Sequence, residues 1–139
     1  MLKSEGEEQR QRHPWMDKYV VRRSIWDWHD GSRIDIVDIH GHVSTTLDPV
    51  QTWIFHEADG GRTVSNLLAW SAAHYRDGQT KPPDLDATNL KSLGTLVEDL
   101  HVVTLSDEIP AVADYLLSPW SEQDQEESLR MMKEDGYSQ

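Results

Sequence analysis

Cysteine is absent from the 139 residues, so disulfides and thiolate metal sites are excluded and a reducing, cytoplasmic setting is expected. No apolar run is long enough to cross a bilayer, and no charged-then-apolar stretch reads as a secretion signal, so no membrane partner is expected. Cations are scarce after residue 33. Seven Lys/Arg face six Asp/Glu up to that point, whereas six face nineteen from residue 34 onward, giving a net charge of -12. Most of the chain therefore repels nucleic acid, and a phosphate contact would have to come from the first third.

Apolar residues make up 37% and mean hydropathy is -0.68. A core is feasible at that content only if polar residues concentrate at the ends, which they do. Residues 1–17, MLKSEGEEQRQRHPWMD, lack apolar periodicity and read as a mobile arm. Residues 18–105 carry the core pattern, and 106–139 read as an acidic helical extension. This length fits one domain with tails.

Within the central part, Lys18 to Trp28 is dominated by β-formers and is expected as one strand. His29-Asp30-Gly31-Ser32 supplies a turn. Arg33 to Ile39 is apolar on both faces, as a central strand should be. His40-Gly41 turns again, and His42 to Leu47 returns as a third strand. Asp48-Pro49 with Gln51 is a helix start, combining a cap, a proline at the first helical position and a capping-box partner.

Gly60-Gly61 is expected to end that helix, and Thr63 to cap a second, reaching Tyr75. The Pro82-Pro83 pair bars helix. Asp86 is expected to cap a third helix with Leu90, Leu93, Val97 and Leu100 buried. Val102 to Leu105 closes the domain as an apolar run. Asp107–Leu117 and Ser121–Asp135 are expected as two further helices, the last stopped by Gly136. The fold class is α+β: a three-stranded antiparallel meander followed by a three-helix cluster, winged-helix-like, with a C-terminal helical tail.

Chemistry-bearing motifs are few. Asp38, His40 and His42 form Asp-x-His-x-His, and alternate strand residues share a side, which would converge three metal ligands. Gly41 turns the chain there, which favours two hairpin-tip histidines in solvent, and no cofactor is expected. Trp26 and Trp28 share a strand face, as a stacking platform or as core and sheet cover. There is no Gly-x-Ser-x-Gly elbow and no phosphate loop, so no catalytic residue is assigned. A winged helix would present Asn89, Lys91, Ser92, Thr95, Glu98 and Asp99 to DNA. One lysine against two carboxylates is a poor major-groove reader.

Three stretches resemble the PqqD-like family of precursor-peptide recognition modules: Gly41–Leu47, Asp59-Gly60-Gly61-Arg62-Thr63-Val64 running into Leu67-Leu68, and Leu90–Val103. The similarity spans about residues 19 to 105. This chain departs from the pattern at 79–85, in the C-terminal helices and in its Trp-rich first strand. The resemblance implies a non-enzymatic peptide chaperone in which a peptide or protein partner adds as a strand beside Val43, Ser44, Thr45, Thr46 and Leu47 and packs on the third helix at Lys91 and Thr95. The physics of an open sheet edge points the same way. A homodimer through that edge, a DNA-binding regulator and a structural subunit docked on a larger assembly are the alternative readings.

Overall fold

The computed structural model of the protein describes residues 13–73 and 84–136. Its first apolar stretch is two strands, β1 (Tyr19–Arg22) and β2 (Ile25–Trp28), which belong to different sheets. The single strand expected over Lys18–Trp28 is therefore broken at Arg23-Ser24, where the Arg23 N–H bonds to the Val102 carbonyl, in register with the pairing of Arg22 and Val103, before the chain crosses to the other sheet. β2 enters an antiparallel meander with β3 (Ile34–Val37) and β4 (Val43–Thr46), in the order β2-β3-β4. The meander and its central β3 are as the sequence pattern requires.

Helix α1 (Pro49–Glu57) follows, with both halves of the Asp48–Gln51 capping box in place. The chain next forms strand β5 (Asp59–Thr63), so the glycine pair lies in a strand and not at a helix–helix junction. β1 takes the centre of a second antiparallel sheet, β5-β1-β6, with β6 at Val103–Ser106. Val20 and Val21 point to opposite faces, and both are fully buried. No local sequence signal announces this second sheet, because β1 meets its neighbours only through long-range pairing.

Helix α2 (Val64–Ala73) is capped reciprocally, as expected at Thr63. The Thr63 hydroxyl accepts the Asn66 N–H at 3.1 Å, and the Asn66 amide oxygen accepts the Thr63 N–H at 3.0 Å. Tyr75 and the loop through Pro82-Pro83 lie outside the described residues. Helix α3 (Leu85–Gly94) begins after Asp84, so Asp86 is buried in the first turn and is not the cap. It continues as a π-helical turn, Thr95–Asp99, and His101 then reverses the chain at φ 56°. Val20, Trp26, Ile34, Ile36, Phe55 and Leu96 meet in the main core between these helices and one face of the meander.

The C-terminal residues pack against the meander's other face. Ile25 and Val37 from β2 and β3 form a second core with Tyr115, Leu116, Trp120 and Met132. Only Asp114–Leu117 of the expected Asp107–Leu117 helix is helical (α4). Pro110 bars a helix before it, and Ile109 is 69% exposed. Pro110 and Val112 instead run over Gly60, where an added Cβ would sit 2.8 Å from a Val112 methyl. The helix expected over Ser121–Asp135 divides into a 3-10 turn (Trp120–Glu122) and α5 (Gln125–Glu134), because Asp124 caps the Glu127 N–H. Gly136, at φ 85°, supplies the expected stop. Among the described residues no helix is long and apolar enough to cross a membrane.

Arg22, at the end of β1, ties these parts together. It is 4% exposed and donates to the carbonyls of Ala58 (3.4 Å), Leu116 (3.3 Å) and His56 (2.5 Å). Its guanidinium lies 5.4 Å from the Trp26 ring and 5.7 Å from Phe55. Burial pushes its pKa below the ordinary arginine value, while Asp59 and Glu57 act in the opposite direction.

Two substitutions test this arrangement. Arg22→Met strands buried carbonyls and is expected to cost about 2–4 kcal/mol in denaturant unfolding, with Arg22→Lys recovering only part because an ammonium cannot reproduce the fork. Gly60→Ala combines a left-handed backbone, at φ 87°, with a collision against Val112. Its expected cost is about 2–4 kcal/mol, and an unchanged midpoint would show that the covering segment is not seated there.

Candidate functional site

β4 is the outer strand of its sheet, and among the described residues β3 is its only strand neighbour. Thr45 stands opposite Ile36 and Thr46 opposite Asp35, with a bulge placing Val43 opposite Val37. The Leu47 N–H bonds to the Ile34 carbonyl at 2.8 Å. Because antiparallel ladders alternate, Thr46 then turns its N–H and C=O to the free side. Val43 is 56% exposed, Ser44 is exposed, and Thr45 and Thr46 are half-buried. Leu47 is 0% exposed and belongs to the main core. The usable edge is therefore Val43–Thr46, with Leu47 as its anchor.

The turn preceding β4 is held by Asp38. Its carboxylate accepts the His40 N–H at 2.8 Å and the His42 N–H at 3.0 Å. Those bonds, the one from His42 foremost, lower the Asp38 pKa. The carboxylate thus organises backbone, with Gly41 supplying the positive φ of 79°. Both histidines are exposed, and their ring centroids lie 6.4 Å apart. Among the described residues no group of three His, Asp or Glu side chains is arranged to hold a metal ion.

Asp35, one strand in from the edge, bonds to the Thr46 hydroxyl at 2.5 Å and lies 3.1 Å from His29 Nδ1. It stands directly across the ladder from Asp27. Facing carboxylates repel, and each has a separate partner: Asp27 accepts the Ser121 N–H and hydroxyl at 3.1 and 3.0 Å. The C-terminal extension thereby backs the meander by polar as well as apolar contact.

Lys91 is exposed on α3 and Thr95 is half-buried, its hydroxyl bonding the Lys91 carbonyl at 3.3 Å. α3 packs on α1 and α2, and its π-helical continuation on β6, while β4 packs on β3. The edge and the helix wall thus have their main supports in different elements. Asn89, expected to face outward on a DNA-reading helix, is 3% exposed and bonds Ser71 at 2.9 Å. That removes one outward polar group from the reading helix.

Trp26 and Trp28 do share a face, edge to face at 5.5 Å. Trp26 is core, 2% exposed, and Trp28 is 43% exposed beside His56. A cleft lined by Trp53, Ile54, Val64, Leu67, Leu68, Asn89 and Leu93 has a cavity volume of about 10 Å³, far below the roughly 300 Å³ at which small-molecule sites begin. The features that sequence reasoning missed are Arg22 in the core and the Asp27–Ser121 clasp. A charged residue closing the apolar run Tyr19-Val20-Val21 is the signal for the first. The second joins residues far apart in sequence and has no local signal.

No family model, no curated protein and no solved structure matches this chain.

The turns carry a pH prediction. Asp30 is held at about 2 against an ordinary 3.8, chiefly by the Ser32 N–H, with the Ser32 hydroxyl and Arg33 contributing. A depressed carboxyl stabilises the fold above its unfolded pKa and loses that contribution as pH falls through the folded value. Loosening of the β2–β3 hairpin is therefore expected between about pH 4 and pH 2. Asp30→Asn, which keeps an acceptor but no charge, should flatten that acid limb in amide exchange at Ser32 and Arg33. A parallel limb in wild type and variant would refute the assignment.

Proposed function

We propose that this protein is a non-enzymatic peptide- or protein-binding module whose ligand adds as an extended segment along β4. The observation that carries the reading is the position of β4. It is the outer strand of its meander, exposed at Val43 and Ser44, with Thr46 turning backbone groups outward. Main-chain hydrogen bonds to such an edge supply affinity irrespective of side chains, and flanking side chains supply selectivity. The winged-helix-like arrangement implied by the PqqD-like resemblance, a wall at Lys91 and Thr95, and a cytoplasmic setting belong to the same proposal.

The anchoring of the edge at both ends supports this reading. A strand that must accept a partner benefits from being held in extended form beforehand, since ordering it on binding would cost affinity. Leu47 is buried at one end, Asp38 fixes the turn at the other, and the meander is packed on both faces.

Thr46→Pro is the direct test. Proline removes an N–H that faces the free side and leaves the inward ladder bonds intact. Peptides selected from a displayed library against the wild-type protein should lose at least about tenfold in affinity on Thr46→Pro, a factor worth about 1.4 kcal/mol. Thr46→Val, which removes only the hydroxyl to Asp35, should retain most of it. Equal binding by wild type and the proline variant, with unchanged melting, would overturn strand addition at β4. Concentration-dependent self-association abolished by the same proline would identify a second copy of the chain as the occupant.

A further inference from the structure

The chemistry flanking β4 is of one sign. Between Arg33 and Arg62 the chain has no lysine or arginine, and it carries Asp35, Asp38, Asp48, Glu57 and Asp59. Three of these frame the open edge. Asp38 pairs its N–H with the His42 carbonyl immediately before β4. Asp48 caps α1 two residues beyond Thr46, and Asp35 stands opposite Thr46 and bonds its hydroxyl.

Asp38 and Asp48 both make their contacts through backbone N–H groups, of His40 and His42 in one case and of Gln51 in the other. Such bonds hold a carboxylate in place, and among the described residues no lysine or arginine forms an ion pair with either one, although His40 and His42 lie close enough to Asp38 to act on its charge. Glu57, by contrast, is neutralised by Arg62 at 2.9 Å. β4 itself is four residues long, roughly 13 Å at the usual strand rise, so the fixed charges sit near the two ends of one short docking line.

We infer that the ligand class of the β4 edge is a cationic extended segment: a central pair or triplet of β-branched or small apolar residues beside Val43 and Thr45, flanked on each side by lysine or arginine. This rests on the strand-addition reading above and adds the charge of the partner to it. Fixed anions at both ends of a backbone-binding line favour a flanked basic segment and repel an acidic one, which is selection by charge as much as by attraction. Nucleic acid is the polyanionic opposite of this ligand.

The test uses the full chain and three synthetic hexapeptides, Lys-Val-Thr-Val-Thr-Lys, Ser-Val-Thr-Val-Thr-Ser and Glu-Val-Thr-Val-Thr-Glu, each labelled for anisotropy. A fourth is the lysine peptide N-methylated at alternate backbone amides. At low salt the lysine peptide is expected to bind at least about tenfold more tightly than the serine peptide and the glutamate peptide least, with the spread collapsing at about 0.5 M salt. Asp38→Asn, which keeps the turn's acceptor, should cut the lysine peptide's advantage severalfold without altering the serine peptide. Amide shifts at Val43–Thr46 should accompany binding.

Equal affinity of the lysine, serine and glutamate peptides, with β4 amides shifted, overturns the charge selection and leaves strand addition standing. Undiminished binding of the N-methylated peptide, or binding that leaves the β4 amides unmoved, overturns strand addition itself. Absence of binding by all four overturns both.

Discussion

Arg22 brings a positive charge into the interior, and its hydrogen-bond partners are three main-chain carbonyls, those of His56, Ala58 and Leu116. Burying a guanidinium is costly unless its donors are satisfied, so the carbonyls must be held where the fork can reach them. Each comes from a different part of the fold. His56 lies in the last turn of α1, Ala58 leads into β5, and Leu116 lies in α4. The same Leu116 carbonyl also accepts the Trp26 indole N–H at 2.9 Å, so β1, β2, α1 and the C-terminal extension converge on one polar point inside two apolar cores. Displacing any one of them leaves a buried donor or acceptor unpaired.

That convergence explains why the C-terminal residues behave as part of the body. α5 has ten residues, fewer than an isolated helix needs for stability in water. Its favourable charges, with Glu126 and Glu127 in the first turn and Lys133 in the last, contribute tenths of a kcal/mol to about 1 kcal/mol each. The decisive contribution is burial of Tyr115, Leu116, Trp120 and Met132 against Ile25 and Val37, at about 1.5–3 kcal/mol for a fully buried large apolar side chain. Tyr115 then reaches Asp135 at 2.6 Å, and Gln123 bonds the carbonyls of Tyr115 and Ser118. The extension is thus a second layer for the meander, and it stiffens the sheet whose outer strand is β4.

What could be read from the sequence was whatever is encoded locally. The Asp48-Pro49-x-Gln51 signature, the Asp30-Gly31 turn, the apolar alternation of Ile34 to Val37 and the Thr63 cap all act within a few residues, and all are found in place. The misreadings have a common physical origin. β1 and β2 look like one strand because β-propensity cannot register that Arg22 is committed to distant carbonyls. Gly60 looks like a helix stop because its covering residues, Pro110 and Val112, lie some fifty positions later. The edge was legible as an expected third strand; that Leu47 is withdrawn into the core depends on packing that no local pattern encodes.

The placement of β1 has a consequence for how the chain acquires its structure during synthesis. Tyr19 pairs with Thr63 on one side and with Ser106 on the other, whereas the meander closes through two tight turns. Long-range pairing is slow and local pairing fast, so the meander and α1 are available early while the Tyr-Val-Val segment waits with both flanks bare until residue 106 has left the ribosome. The strand that ends in the molecule's most committed cation is therefore the last to be enclosed on both sides. During that interval an apolar sheet centre is exposed to any other nascent chain able to pair with it.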